Sequence, residues 1–360
     1  MKKRLATALA LLLVGALMVA GLTPLCASAA DKPEIRTSAQ PCLHGMPMWY
    51  AEKAGWLAKA PFTNSFMLFA SGAPQVEALA ANQWDVGAMG ALPTMMASMR
   101  YGYKFIGISN DESETNDLWV RPDSPLLKNK GSNPKFPDIY GSADDWKGKK
   151  VLATTVSTGH YALTATLAAL GLKDTDVSLV HMEQGQAVTA FNAGEGDVIQ
   201  LWAPFSYIAE AKGWKKVSSG SKAGVVILGG IGVRKDFAEK FPDLVVEWLD
   251  VYMRGIEMMK NEPGKSVEPL LNYFTGYCGL ELTRDQVEKE FKYRPLYDVN
   301  EQVRLLEDPA KTAAWMDGVA RFMLTQGRIT TKEYDRYVTS NYGIDPSFMK
   351  KLAERRAAAK

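Results

Sequence analysis

The segment Val156-Ser157-Thr158-Gly159-His160-Tyr161 carries the side chains best suited to hold an acidic group. The preceding residues 151–155, Val-Leu-Ala-Thr-Thr, are β-branched and apolar and read as a buried strand. Residues 161–170 are rich in Ala and Leu and read as a helix. The Ser-Thr-Gly turn therefore falls where a strand hands over to a helix. There, backbone N–H groups without helical partners and the positive end of the helix dipole attract an anion. Ser157 and Thr158 also suit a helix cap, and the segment alone does not separate capping from ligand contact. Covalent chemistry finds less support. The chain has three His, with no His-x-x-x-His or Cys-x-x-Cys spacing for a metal or redox pair. Ser157 and His160, on one helical turn, are poorly aimed as nucleophile and base.

The elements that must position this turn alternate along the chain. Strand-like stretches at 34–37, 65–69, 85–88, 105–108 and 118–120 interleave with helical ones at 46–57, 74–82 and 92–100. A second round follows, with strands at 151–155, 177–181 and 198–202 and helices at 162–170 and 187–193. Such alternation predicts α/β lobes with parallel or mixed sheets, which bind ligands at the carboxyl ends of their strands. A Gly-rich apolar run at 225–233 suits a crossing between lobes, and from Phe237 onward the pattern is helical. The crossings are expected near 117–121 and 229–234, with a surface loop at 121–145 rich in Pro, Gly, Asn and Lys. Two lobes, two crossings and a helical tail describe a hinged protein that closes over a small ligand.

The ends and the composition set the setting. Lys2, Lys3 and Arg4 precede an uncharged apolar run at 9–22 and the small-residue site Ala27-Ser28-Ala29, the pattern of an export signal cleaved near Ala29. The whole chain has 42 Lys plus Arg against 40 Asp plus Glu. Loss of the three leader cations brings the balance to about −1, which gives no reason to expect nucleic acid or an anionic membrane. Cys42 and Cys278 remain as one possible pair, whose spacing settles nothing about a bridge. Met46, Met48, Met89, Met95, Met96 and Met99 read as core packing rather than a soft-metal site.

Several runs of residues resemble the substrate-binding proteins of ABC importers for taurine, alkanesulfonates and nitrate. These are Gly72-Ala73-Pro74-Gln75-Val76-Glu77-Ala78-Leu79, Asp85-Val86-Gly87, Gly90 to Pro93, Trp146 to Val151, Val156 to Leu163, Trp202-Ala203-Pro204 and Val233 to Phe237. The match runs over 37–247, and Val-Ser-Thr-x-His-Tyr is most similar to the taurine branch. The resemblance implies a type II periplasmic-binding fold. Lobe 1 would be 30–118 with 232–265, lobe 2 would be 119–231, and 266–360 a helical extension packed on lobe 1. It further implies a periplasmic monomer, without cofactor or metal, that passes a small organic anion to an inner-membrane permease. Carried over by position, the first-lobe contacts would be Gln40, Cys42, His44, Gly72, Ala73, Gly90, Ala91 and Leu92. Asn110 and Asp111 would approach from the hinge, and Thr154, Ser157, Thr158, Gly159, His160, Trp202 and Pro204 would come from the second lobe.

Two departures bear on the ligand. Sulfonate binders tend to carry hydroxyl residues where this chain has Ala91 and Leu92, and the taurine branch an acid where it has Ala203. Asp111, Glu112 and Glu114 are the candidates to replace that acid. With Trp49, Tyr161 and Trp202 expected nearby, the alternative is a more apolar ligand: an aromatic acid, amino acid or pyrimidine, for import or signalling. An enzyme on the same scaffold is the third reading.

Overall fold

The structure is a computed structural model describing residues 32–359; the leader and cleavage site expected at 1–29 lie outside them. Glu34–Lys360 forms one compact unit. Its strands are β1 (Glu34–Ala39), β2 (Thr63–Leu68), β3 (Val86–Gly90), β4 (Lys104–Asp111), β5 (Asn116–Val120), β6 (Lys150–Ala153), β7 (Ser178–His181), β8 (Val198–Trp202), β9 (Lys215–Ser219) and β10 (Leu228–Val233). They make two five-stranded sheets, in the orders β2-β1-β3-β10-β4 and β7-β6-β8-β5-β9. Both sheets are mixed. β1 runs parallel to β2 and β3, and β6 to β7 and β8, as strand–helix–strand units require. β10 and β5 run antiparallel to their neighbours.

The chain changes sheets between Asp111 and Asn116 and again between Ser219 and Leu228. Both changes come several residues before the expected positions. The glycines that suggested a crossing at 229–234 lie in a fully buried strand instead. They are small because neighbours lie over them: a β-carbon on Gly229 would sit 2.2 Å from Ser109 Oγ, and one on Gly232 2.3 Å from the Tyr103 ring. Residues 122–142 form the expected loop, closed by a bridge between Lys130 and Tyr140.

Helices cover the sheets and continue to the C-terminus. Helix Pro242–Asn261 buries Val245, Trp248, Leu249, Tyr252, Met253, Ile256 and Met259 along one stripe. That stripe packs on helix Met46–Lys53, while helix Ser347–Ala358 packs on Pro242–Asn261 and on β4. The C-terminal region, expected to pack on lobe 1, also packs on the half that holds the second sheet. Helix Arg284–Tyr293 packs on Phe205–Ala211 beside the second sheet. Helix Ala314–Thr325 touches both Ala91–Tyr101 and Thr158–Ala169, one helix from each half. Helices Arg284–Tyr293, Val299–Glu307 and Thr331–Thr339 start where capping boxes dictate, at Thr283 with Gln286, Asp298 with Glu301 and Thr330 with Glu333. All six methionines read as core are buried. Cys42 and Cys278 are separate free thiols. Among the described residues no helix is long and apolar enough to cross a membrane, and no group of three or more His, Cys, Asp and Glu is placed to hold a metal.

One ion network ties the C-terminal region to the first crossing. Arg294, just beyond helix Arg284–Tyr293, is 2% exposed; its Nη2 meets Glu112 Oε1 at 2.5 Å and its Nη1 meets Glu290 Oε2 at 3.2 Å. Burial pushes the Glu112 carboxyl up, but the Arg294 charge and the His44 ring more than offset this and bring it down to about 2. At Glu290 burial prevails over Arg294, and that carboxyl is raised. Glu112 is therefore the counter-ion and Glu290 the more easily protonated acceptor. Because the Glu112 pKa falls from 4.5 to about 2 on folding, its contribution to stability is full above about pH 4.5 and is lost as pH falls toward 2. Glu290 acts in the opposite sense, its contribution fading as pH rises through its raised pKa. Chemical denaturation is expected to show Arg294→Met costing about 3 to 5 kcal/mol, since it strands a buried carboxylate. Glu290→Gln is expected to cost about 1 kcal/mol or less. Glu112→Gln should flatten the fall in stability between about pH 4.5 and 2 relative to the parent chain.

Candidate binding cleft

The carboxyl ends of β1, β3, β6, β7 and β8 open onto one cleft between the two sheets, as strand–helix–strand topology requires. From the first half come Gln40, Cys42, His44, Ser71, Gly72, Ala73, Gly90 and Pro93; from the second come Thr154, Thr155, Val156, Ser157, Thr158, His181, Glu183 and Trp202. Glu112 and Asn116 line it from the first crossing, and Arg294 from the C-terminal region. The halves touch across it. Ser71 Oγ donates to Glu183 Oε1 at 3.1 Å, and Cys42 Sγ donates to the Ala203 carbonyl at 3.7 Å. A β-carbon on Gly90 would lie 2.3 Å from Thr158 Oγ1, so this approach demands glycine. What remains is narrow, a cavity of about 50 Å³.

Helix N-termini dominate its chemistry. Ser157, in extended conformation, caps Thr158–Ala169: its Oγ accepts from His160 N at 3.2 Å and donates to Thr154 O at 2.7 Å. With both capacities used, the Ser157 hydroxyl is structural. The Thr158 hydroxyl and the Thr158 and Gly159 amides have no protein partner among the described residues. Gly72–Ala80 and Ala91–Tyr101 also begin at the cleft, and neither has a side-chain cap. These three helix ends carry no acid at the cleft, unlike Gln184–Asn192 behind Glu183, and each favours an anion by about 0.3 to 1 kcal/mol.

The floor is less reactive than its residue types suggest. Burial pushes the Cys42 thiol well up, so it is a thiol and not a thiolate. Burial likewise pushes the His44 imidazole down. His44 Nε2 accepts from Gln40 N at 3.4 Å, which leaves Nδ1 to carry the proton, 3.8 Å from Glu112 Oε1. No basic nitrogen of His44 is left to take the Cys42 proton.

Of the expected contacts, Gln40, Cys42, His44, Gly72, Ala73, Gly90, Thr154, Ser157, Thr158 and Trp202 line the cleft. The others do not. Ala91 and Leu92 pack into an apolar cluster with Met95, Met96 and Tyr161, because the first turn of their helix faces its neighbours. Asn110 stands beside Arg294, its amide oxygen accepting from Nε at 3.0 Å once the amide is oriented to satisfy both groups. Asp111 accepts from Ser113 N at 2.8 Å and Ser113 Oγ at 2.6 Å. Gly159 has Gln200 against it, 1.8 Å from where a β-carbon would stand. His160 is held by Asp174 Oδ2 at 2.8 Å and by Val156 N at 3.2 Å, with its ring edge-on to Phe322. Pro204 is joined to Ala203 by a cis peptide and precedes helix Phe205–Ala211. None of the hinge acids is free to replace the missing one, since Glu114 meets Lys216 and Ser219 and Glu112 meets Arg294. Trp49 and Tyr161 lie in apolar clusters, leaving Trp202 as the aromatic wall.

Sequence reasoning missed Arg294, Glu183 and Asn116. Arg294 belongs to no motif and lies in a region read as a tail. Glu183 did carry a signal: an acid between the end of a strand and the start of a helix, where α/β sheets present side chains to ligands.

The profile of the NMT1-like family matches residues 28–265. Among curated relatives, a Brachyspira hyodysenteriae protein named "Putative ABC transporter periplasmic binding protein" is 28% identical over 324 residues, covering 90% of this chain and 91% of its own. The taurine-binding periplasmic protein of Escherichia coli is 25% identical, covering 76% of this chain and 82% of its own. Among solved structures, the alkanesulfonate-binding protein SsuA from Xanthomonas axonopodis pv. citri, bound to MOPS, shares the fold with a TM-score of 0.67 at 18% identity, over 84% of this chain and 96% of that one. The desulfurization enzyme DszB shares it with a TM-score of 0.60 at 14% identity, over 90% and 99%. The fold is thus the two-lobed periplasmic-binding type, with a helical C-terminal region, and it is shared by binders and a catalyst. Matched over more than half of its length, the chain belongs to the NMT1-like family.

Proposed function

We propose that this chain is an exported solute-binding protein that seizes a small organic anion of the sulfonate class between its lobes and delivers it to an ABC permease. The observation that carries this reading is the meeting of three helix N-termini at the cleft, two of them without a side-chain cap. The relatives named as periplasmic, taurine-binding and sulfonate-binding proteins support it. The Thr158 hydroxyl and amide hold the acidic head, and Trp202 covers the remainder. The protein works in the periplasm as a monomer, its closed lobes forming the surface that the permease reads.

Likeness to a desulfurization enzyme raises a catalytic reading, and Cys42 beside His44 is the pair it would use. Their arrangement favours binding. The thiol is raised by burial and donates to Ala203 O, while the free nitrogen of His44 is occupied by Gln40 N.

A thermal-shift series against taurine, longer alkanesulfonates, nitrate, aromatic acids, amino acids and pyrimidines tests the ligand class. A ligand at 100 times its Kd stabilises the folded chain by about 2.7 kcal/mol. Sulfonates are expected to raise Tm and to be recovered unchanged; a rise with pyrimidines or aromatic acids alone overturns the sulfonate assignment. By calorimetry, Thr158→Val and Trp202→Ala should each weaken sulfonate binding about tenfold or more. Ser157→Ala should cost about 1 kcal/mol of stability through the lost cap and leave affinity within about threefold.

A further inference from the structure

The cleft offers donors for an anion, yet its second-sheet wall offers acceptors. Glu183 is the acid that ends the β7 connection and precedes helix Gln184–Asn192. One of its oxygens accepts from Ser71 Oγ; the other, Oε2, is buried and has no partner. No Lys, Arg or His makes an ion pair with it among the described residues, whereas Glu112 in the same cleft is neutralised by Arg294. Asn116, 2% exposed, points the same way. Its Nδ2 donates to Glu112 O at 3.1 Å, which fixes the amide, and its Oδ1 is buried without a partner.

These oxygens belong to one wall. Asn116 on β5 stands directly opposite Trp202 on β8 in the strand register. Trp202 N donates to the side chain of Gln184 at 3.0 Å, and Gln184 follows Glu183. The three cleft-lining residues Asn116, Trp202 and Glu183 are thus fixed to one another through the second sheet. A carboxylate and a carbonyl oxygen without donors, next to an aromatic ring, suit a cationic nitrogen, through charge-assisted hydrogen bonds and the ring's electron-rich face. A simple alkanesulfonate would satisfy the helix ends and leave both acceptors buried and unpaired, at a cost.

We infer that the ligand carries a cationic nitrogen as well as an acidic head, and that Glu183, with Asn116 beside Trp202, selects for that nitrogen. This rests on the cleft being the ligand site proposed above. It places the amine contact away from position 203, where this chain has only Ala203.

Calorimetry on the mature protein with taurine and ethanesulfonate, which differ by the amino group, reads the selection. The parent chain is expected to prefer taurine by about tenfold or more. Glu183→Gln should reduce that preference to about threefold or less, the ratio of the two affinities being the readout. Ser71→Ala removes the hydroxyl contact to Glu183 but keeps the carboxylate; it should weaken both ligands alike and retain the preference. Equal affinity of the parent for both compounds, or an undiminished preference in Glu183→Gln, overturns the inference. Loss of the preference in Ser71→Ala as well also overturns it, because Glu183 would then act through lobe closure. If neither sulfonate binds, the sulfonate class falls. The same comparison with β-alanine and propionate then decides the amine: a preference abolished by Glu183→Gln upholds the inference, and no preference or no binding ends it.

Discussion

One guanidinium holds this architecture together. Arg294 enters from the C-terminal region, is buried to the last few per cent, and bonds to a carboxylate in the first crossing between sheets. A charge so placed is tolerable only when paired, so the crossing, the helix Arg284–Tyr293 and the cleft floor are positioned together. Arg294 also orders Asn110, Glu112 faces His44, and His44 accepts from the Gln40 backbone. The helical third of the chain is therefore part of the site. It supplies the counter-ion without which the crossing would carry a bare buried acid.

Much of this was legible in the residues. The strand at 151–153, the turn at Ser157 and the helix behind it follow from β-branched runs, a capping hydroxyl and an Ala-rich stretch, all local signals. Gly72 and Gly90 of the cleft came from the family resemblance. Three things were not. The buried run at 229–233 has the composition of a crossing because its glycines make room for Ser109 and Tyr103, which a linear reading does not place beside them. Whether a hydroxyl is free depends on its partners: Ser157 and Thr158 look alike as residues, yet one is spent on Thr154 and His160. Arg294 and Asn116 act only through long-range contacts, so their types and spacing carry no mark.

The same scaffold serves binders and a desulfurization enzyme, and the difference must lie in how a few groups are bonded. Here the floor is quiet: a neutral imidazole, a protonated thiol and a carboxylate held by Arg294. The polar groups left without partners are instead spread over facing walls, donors at the helix ends and acceptors at Glu183 and Asn116. Such a distribution suits recognition of a charge pattern across a ligand.

Helix Ala314–Thr325 has a consequence for timing. It is a strap fastened to both halves, packed into a single apolar cluster with Leu92 and Met95 on one side and Tyr161 on the other, where the tilted rings of Tyr161 and Phe322 lie 5.2 Å apart. Whichever half the strap follows, opening must part it from the other and wet apolar surface at about 25 cal/mol per Å². Parting the halves therefore carries an apolar cost set by this cluster, which would favour the closed arrangement. On the reading proposed above, the same cost would delay both the entry of a ligand and its release.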